Sequence, residues 1–154
     1  MSAKRLIGMV TGALALSGAL VAVPAVASAA PATVPGTPCT AAAKACLDLT
    51  TQKAWLIKDG RAWYGRALAA SGKNNSTHPG NYRVTWKDID HRSSQFHGAP
   101  MNFSVFFDHH GRAFHEGNVW KKSNGCVHLT RHSAKVFFNY LHVGDRVQIR
   151  GHAR

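Results

Sequence analysis

From residue 46 onward the apolar positions fall in short runs or recur with period two, the spacing of strands rather than helices. Cys46-Leu47-Asp48-Leu49 and Ala54-Trp55-Leu56-Ile57 are two brief apolar runs. Asp59-Gly60 marks a hairpin turn into Arg61 to Leu68, where Ala62, Tyr64 and Leu68 alternate with polar residues. Ser71 to Gly80 carries Gly, Asn, Ser and Pro and reads as a loop, and Tyr82 to Trp86 reads as an alternating strand. Lys87 to Pro100 is polar and His-rich, the pattern of a long surface loop. Phe103 to Phe107 predicts a buried strand ended by His110-Gly111, followed by a short return strand over Arg112 to His115. The period then lengthens: Val136, Phe137, Tyr140 and Leu141 share one face of a helix that Thr130 caps. Gly144-Asp145 turns the chain into a last strand, Arg146 to Ile149. Six to eight strands, one helix and no repeat predict a mainly-β sandwich or open barrel with one packed α-helix near the C-terminus.

The N-terminal pattern is different. Lys4 and Arg5 precede an apolar stretch, Leu6 to Val23, and Ala27-Ser28-Ala29 supplies small residues for cleavage, so residues 1–29 read as a secretory signal peptide. Residues 30–45 read as a Pro/Ala/Thr-rich linker and a short segment stapled by a Cys39–Cys46 disulfide. One straight helix across that stretch would hold the two Cα atoms about 10 Å apart, beyond the ~7 Å that a bridge spans. The bridge therefore predicts a bent turn. Residues 46–151 remain as one domain, large enough to bury roughly two-thirds of its unfolded surface. No later segment is long and apolar enough to span a bilayer.

Nineteen Lys and Arg against seven Asp and Glu give a net charge of +12, which falls to +10 when Lys4 and Arg5 leave with the signal. A secreted protein this basic adheres to anionic polymers. Charge selects a neighbourhood here, not a substrate.

Pairing of Cys39 with Cys46 leaves Cys126 unpaired in a compartment that oxidises idle thiols. It stands in Ser123-Asn124-Gly125-Cys126-Val127-His128-Leu129, eleven residues after His115. The plain alternative is a small buried cysteine in a turn beside an unrelated histidine. At an ordinary pKa near 8.5 only about 3% of a cysteine is thiolate at pH 7. A histidine that takes the proton and stays as imidazolium would bring that pKa toward about 6.5, leaving roughly three-quarters thiolate. Only 28 residues follow Cys126, so the base is His115, at a strand end, or His128. Gly125 removes a side chain beside the sulfur, and the Gly125 and Cys126 amides are candidates to face a developing oxyanion. Ser123 reads as a hydrogen-bonding turn residue.

Phe114-His115-Glu116-Gly117 followed by S-N-G-C-V-H-L resembles the L,D-transpeptidase (YkuD-type) catalytic domain, and closest its short secreted actinobacterial forms. The resemblance runs from about Cys46 to Gly151 and includes Thr77-His78-Pro79-Gly80 in place of the family's T-P-x-G turn, M-N-F-S-V-F-F before the histidine, and V-G-D-R-V near the end. It implies Cys126 as nucleophile and His115 as general base, oriented by the carbonyl of Glu116 or Gly117. The implied reaction releases D-Ala from a peptidoglycan tetrapeptide, leaves a thioester, and passes the acyl group to the amine of an acceptor stem, a 3→3 cross-link. Water in place of the amine would make an L,D-carboxypeptidase. Two residues depart from the family pattern. Asn124 replaces a histidine, and His128 replaces an Arg that many relatives use, so a bidentate carboxylate contact is lost there.

Other readings compete. Cys126, His128 and His132 give C-x-H-x3-H, too few ligands for a usual zinc site. A sortase needs an Arg after the cysteine on a neighbouring strand, and a basic wall-binding module needs neither Cys126 nor His115. The expected partners are donor and acceptor peptidoglycan stems, with anionic wall polymers held by the basic surface. No cofactor, metal, nucleic acid or stable membrane anchor is expected, and the domain reads as a monomer. Phe103, Phe106, Phe107, Phe137 and Phe138 are core candidates. Met101 and Phe103 also lead into the strand before His115 and are expected along the donor groove. Trp120, between base and candidate nucleophile, is either a lid over the donor stem or a packing residue.

Overall fold

Nine strands and one α-helix make up residues 32–152, the part of the chain that the computed structural model describes. The signal segment expected at residues 1–29 lies outside them. The first two apolar runs form β1 (Ala45–Asp48) and β2 (Lys53–Lys58), and β3 (Arg61–Ala70) returns as the hairpin partner of β2. Asp59 and Gly60 have φ of 50° and 71°, as the two central residues of a type I′ turn require. The chain continues through β4 (Gly80–Arg83), β5 (Trp86–Arg92), β6 (Pro100–Phe106), β7 (Ala113–Glu116) and β8 (Val127–Leu129). It ends with α1 (Arg131–Tyr140) and β9 (Arg146–Arg150).

All nine strands join one sheet in the order β4-β9-β1-β2-β3-β8-β7-β6-β5. β4 and β5 are consecutive in sequence yet lie at opposite ends of that order. Only Val84 and Thr85 separate them, and three Cα steps reach about 11 Å at most. The sheet must therefore curl until its edges approach, which makes it the expected open barrel. Val84 is tied to Asp145 and Gly144, and Thr85 to Phe106, so the two residues stitch one edge to the other.

The inside of the curl is apolar. Leu47, Leu56, Val105, Phe107, Phe114, Val127, Leu129, Phe137 and Ile149 are at most 1% exposed and form one cluster. Each such side chain contributes about 1.5–3 kcal/mol by leaving water. α1 packs on β6, β7 and β8. Thr130 caps it by accepting a hydrogen bond from the Ser133 amide at 3.2 Å. Phe137 is fully buried, and Val136 and Tyr140 pack on the core, the face that the sequence period predicts.

Cys39 and Cys46 are bridged with their Cα atoms 5.9 Å apart, across a turn and not a helix. Closing so short a loop stabilises by about 2.5 kcal/mol in the chain-entropy model. Val34, Ala43, Trp55 and Ile57 surround the bridge in a second apolar cluster. Among the described residues no helix is long and apolar enough to cross a membrane.

The stretch expected as a loop, Lys87 to Pro100, is half sheet: β5 and β6 pair as a hairpin around a turn at 93–99. β5 is an edge strand whose exposed positions mix the charged Asp90 and Arg92 with Trp86 and Ile89, and charges on an edge work against edge-to-edge pairing. Its sequence consequently lacks the apolar alternation of a half-buried strand.

Candidate active site

β7 and β8 run parallel, with Phe114 opposite Val127, His115 opposite His128 and Glu116 opposite Leu129. Side chains alternate across a strand, so Phe114, Val127 and Leu129 enter the core while His115 and His128 share the other face. One step back along the same register sets Cys126 opposite Ala113. Cys126 and His115 are thereby diagonal neighbours on one face of two adjacent strands. Both line a cavity of about 540 Å³.

His115 is 5% exposed. Its Nδ1 lies 2.7 Å from the Glu116 carbonyl oxygen. A carbonyl only accepts, so Nδ1 carries the proton and Nε2 is left as the acceptor. Burial holds the ring neutral, pushing its pKa down to about 4 against the help of the Glu116 bond, with the His128 ring (centroids 5.0 Å apart) a lesser cause. Burial also pushes the Cys126 thiol above its ordinary value, opposed by a hydrogen bond from the Ala113 amide. The thiol points to the Gly111 carbonyl at 3.8 Å.

The family model of the L,D-transpeptidase catalytic domain (YkuD) matches residues 43–149. The chain belongs to this family. A solved L,D-transpeptidase from Stackebrandtia nassauensis is 27% identical, with a TM-score of 0.65 over 71% of this chain and 55% of that one. One from Xylanimonas cellulosilytica (21%, TM-score 0.62, 69% and 59%) and a C442S mutant of the Enterococcus faecium enzyme (22%, TM-score 0.62, 70% and 49%) share the fold. The chain spans about half the length of these structures. A comparison with curated proteins finds no match.

Burial shifts both groups of this L,D-transpeptidase domain toward their neutral forms, the opposite direction to the imidazolium-stabilised thiolate expected from the sequence. Desolvation disfavours whichever form is charged, which favours a neutral thiol beside a neutral imidazole in the resting site. Iodoacetamide labelling of Cys126 is therefore expected to be slow at pH 7 and to rise only at a pH above the ordinary cysteine range. Labelling complete within minutes at pH 6.5 would mean an ion pair instead.

The turn before Cys126 is built from distant parts of the chain. Ser123 Oγ donates to the Cys126 carbonyl at 2.6 Å and accepts from the Gly125 amide at 2.9 Å, the turn role expected for it. The Gly125 amide is thus engaged in the resting site. Gly125 has φ +144°, a conformation that favours glycine. Its carbonyl accepts from the buried Thr77 hydroxyl at 2.7 Å, and Thr77 Oγ1 accepts from the Gly72 amide at 2.7 Å. Arg112 closes the arrangement. It is ion-paired with the buried Asp108, donates to the Ser76 carbonyl at 3.0 Å, and lays its side-chain carbons along Gly125. Asp108 in turn accepts from the His110 and Arg112 amides at 2.9 and 3.0 Å, shaping the loop that carries Gly111 to the thiol.

His128 Nδ1 donates to the Asn118 and Lys121 carbonyls at 3.1 and 2.9 Å, holding the loop between His115 and Cys126 against β8. Gly117 permits this, since a Cβ there would lie 2.7 Å from the His128 ring. Asn124 and Met101 line the cavity, but Phe103 does not. Phe103 has φ +56°, and this kink shifts the alternation of β6 between Met101 and Val105. Its ring packs on Phe138, under Arg131, and so joins the core instead of the groove. Trp120 is 83% exposed and packs on no core residue. Among the described residues, no three His, Cys, Asp or Glu come together as a metal site.

Proposed function

We propose that the domain is a cysteine-dependent peptidoglycan L,D-transpeptidase that forms 3→3 cross-links. The observation that carries this reading is the register of β7 and β8, which brings Cys126 and His115 to one face of one cavity with His115 Nε2 unprotonated. In the first half-reaction Cys126 Sγ attacks the carbonyl of the third stem residue and its proton passes to His115 Nε2. The C–N bond to D-Ala then breaks, His115 returns the proton to the departing amine, and a thioester remains. In the second half-reaction the side-chain amine of an acceptor stem attacks the thioester and gives its proton to His115. The thiol is released. Because both partners begin neutral, proton and sulfur move together.

The Cys126 amide is the oxyanion donor in this reading, with the Gly125 amide joining it if it leaves Ser123. His128 and Asn124 face the donor stem, while Trp120, exposed on the intervening loop, lies outside the cavity lining. Lys121 borders the cavity, while its carboxylate, Glu116, is engaged by Arg131 at 2.9 Å and Asn102 at 3.1 Å, and Arg112 is paired with Asp108. A peptide bearing several carboxylates suits that balance. The Cys39–Cys46 bridge supports action outside the cytoplasmic membrane, at the cell wall, since such bonds persist in oxidising compartments.

Mass spectrometry of muropeptides after incubation with tetrapeptide donors tests the reading. Dimers linked 3→3, with D-Ala released, are expected. Tripeptides without dimers would make it an L,D-carboxypeptidase, and unchanged donors would defeat both.

A further inference from the structure

The cavity extends well beyond the cysteine and histidine. Trp86 pairs with Phe106 across β5 and β6, Phe106 pairs with Ala113 across β6 and β7, and Ala113 lies opposite Cys126. Met101, Phe106 and Ala113 form an apolar floor on which Cys126 packs. Three strand spacings of about 4.8 Å put Trp86 about 14 Å from Cys126 along this row.

At its far end Trp86 stacks on Phe106, ring centroids 4.0 Å apart and planes within 5°. His91 packs edge-on against both rings, at 5.3 and 5.0 Å, and is itself tied to Asp88 at 3.0 Å. The indole is fixed on one side yet stays 43% exposed. Phe96, 46% exposed, and the uncharged polar residues Ser94 and Gln95 border the same arm from the turn between β5 and β6. An immobilised, half-open indole beside neutral polar groups matches a ligand with one apolar face and a rim of hydroxyls.

We propose that this arm is a sugar subsite, where Trp86 stacks on the apolar face of the amino-sugar ring that carries the donor stem. The inference rests on the reading under Proposed function and adds the glycan to its substrate. Reach supports it. Three stem residues and the lactyl link, four units of about 3.5 Å, span about 14 Å when extended. An acyl carbonyl at Cys126 thus leaves the sugar at Trp86. A lipid or a second apolar protein surface would need a continuous apolar patch, and Ser94 and Gln95 interrupt this one.

Calorimetric titration of the Cys126→Ala protein, which cannot turn over, tests the subsite with the free tetrapeptide and with its disaccharide-linked form. The linked form is expected to bind roughly tenfold more tightly, the scale of one well-placed ring contact. Adding Trp86→Ala should erase that advantage and leave free-peptide affinity unchanged, which also reports an intact fold. Trp86→Phe should keep part of it, and Ile89→Ala, exposed on the same strand, all of it. Equal affinities for the two ligands, binding of neither, or an advantage that survives Trp86→Ala would overturn the subsite. Failure of the catalytic reading registers separately, as the absence of a thioester on Cys126 of the unsubstituted protein.

Discussion

Replacing His115 with Gln is expected to lower kcat for D-Ala release by about 10²- to 10⁴-fold, the range of a positioned general base. The loss should approach the upper end, because the Cys126 thiol starts protonated and has no standing thiolate fraction to fall back on. Gln retains an amide able to donate to the Glu116 carbonyl, so the strand end keeps its partner while the proton acceptor disappears. The pH profile makes the role specific. His115 stays neutral down to about pH 4, so the acid limb of kcat/KM should fall near pH 4, well below the ordinary histidine value of 6.5, and vanish in the variant. Folding carries the same signature. The unfolded chain binds a proton at this residue below pH 6.5 and the folded one resists until about pH 4, so stability from this residue is complete above pH 6.5 and lost as pH falls through that window. His115→Gln should flatten this dependence. Activity within a few-fold of the parent protein would remove His115 from the reaction.

Gly72→Ala should be nearly as damaging, although Gly72 is remote in sequence from both residues. A Cβ at Gly72 would meet Ser76 Oγ at 2.1 Å and the Gly125 Cα and amide nitrogen at 2.8 and 2.9 Å. The serine can rotate away. The Gly125 backbone cannot, because Thr77, Ser123 and Arg112 hold it from three directions, and any shift moves Cys126. A displacement near 1 Å in a reacting group costs about 100-fold in rate, and overpacking of this kind destabilises by about 1–3 kcal/mol. Gly72→Ala is therefore expected to cut kcat about 100-fold with a modest drop in Tm. Combining it with Ser76→Ala should restore little, since the Gly125 contact persists. Full recovery in the double variant would place the conflict at Ser76 and leave the turn uninvolved.

These two residues also mark what the chain reveals before it folds. His115 was legible because its strand is short, apolar on one side and separated from Cys126 by a single loop. β8 was not legible: Val127–Leu129 is too short to show a period, and its parallel pairing with β7 across the short loop at 117–126 has no local signal. The hairpin at Asp59-Gly60, the Thr130 cap and the face of α1 were legible, each being a local choice of turn, cap or period. Gly72, Asp108 and Arg112 were not. Their roles arise from contacts with the Ser76 loop and the Gly125 turn, 36 residues apart in the case of Arg112 and Ser76, and no local pattern encodes such distances. Thr77 was visible through family resemblance, but its bond to Gly125 was not.

The protonation states illustrate the same limit. Placing a histidine before a cysteine suggests an ion pair, whereas the fold buries both and so shifts each toward its neutral form. Phe103 fails as a groove residue for a backbone reason, a positive φ in mid-strand that no apolar alternation predicts. β5 hides because an edge strand with charged flanks looks like a loop. In each case the missing information was burial or strand position, both properties of the assembled sheet.

The most direct test of the account is the site of acylation. Incubation with a carbapenem, followed by intact-mass measurement and peptide mapping, should find one acyl group carried by Cys126, none in Cys126→Ala, and slowed formation in His115→Gln. An unmodified protein, or an adduct on any other residue, would contradict it.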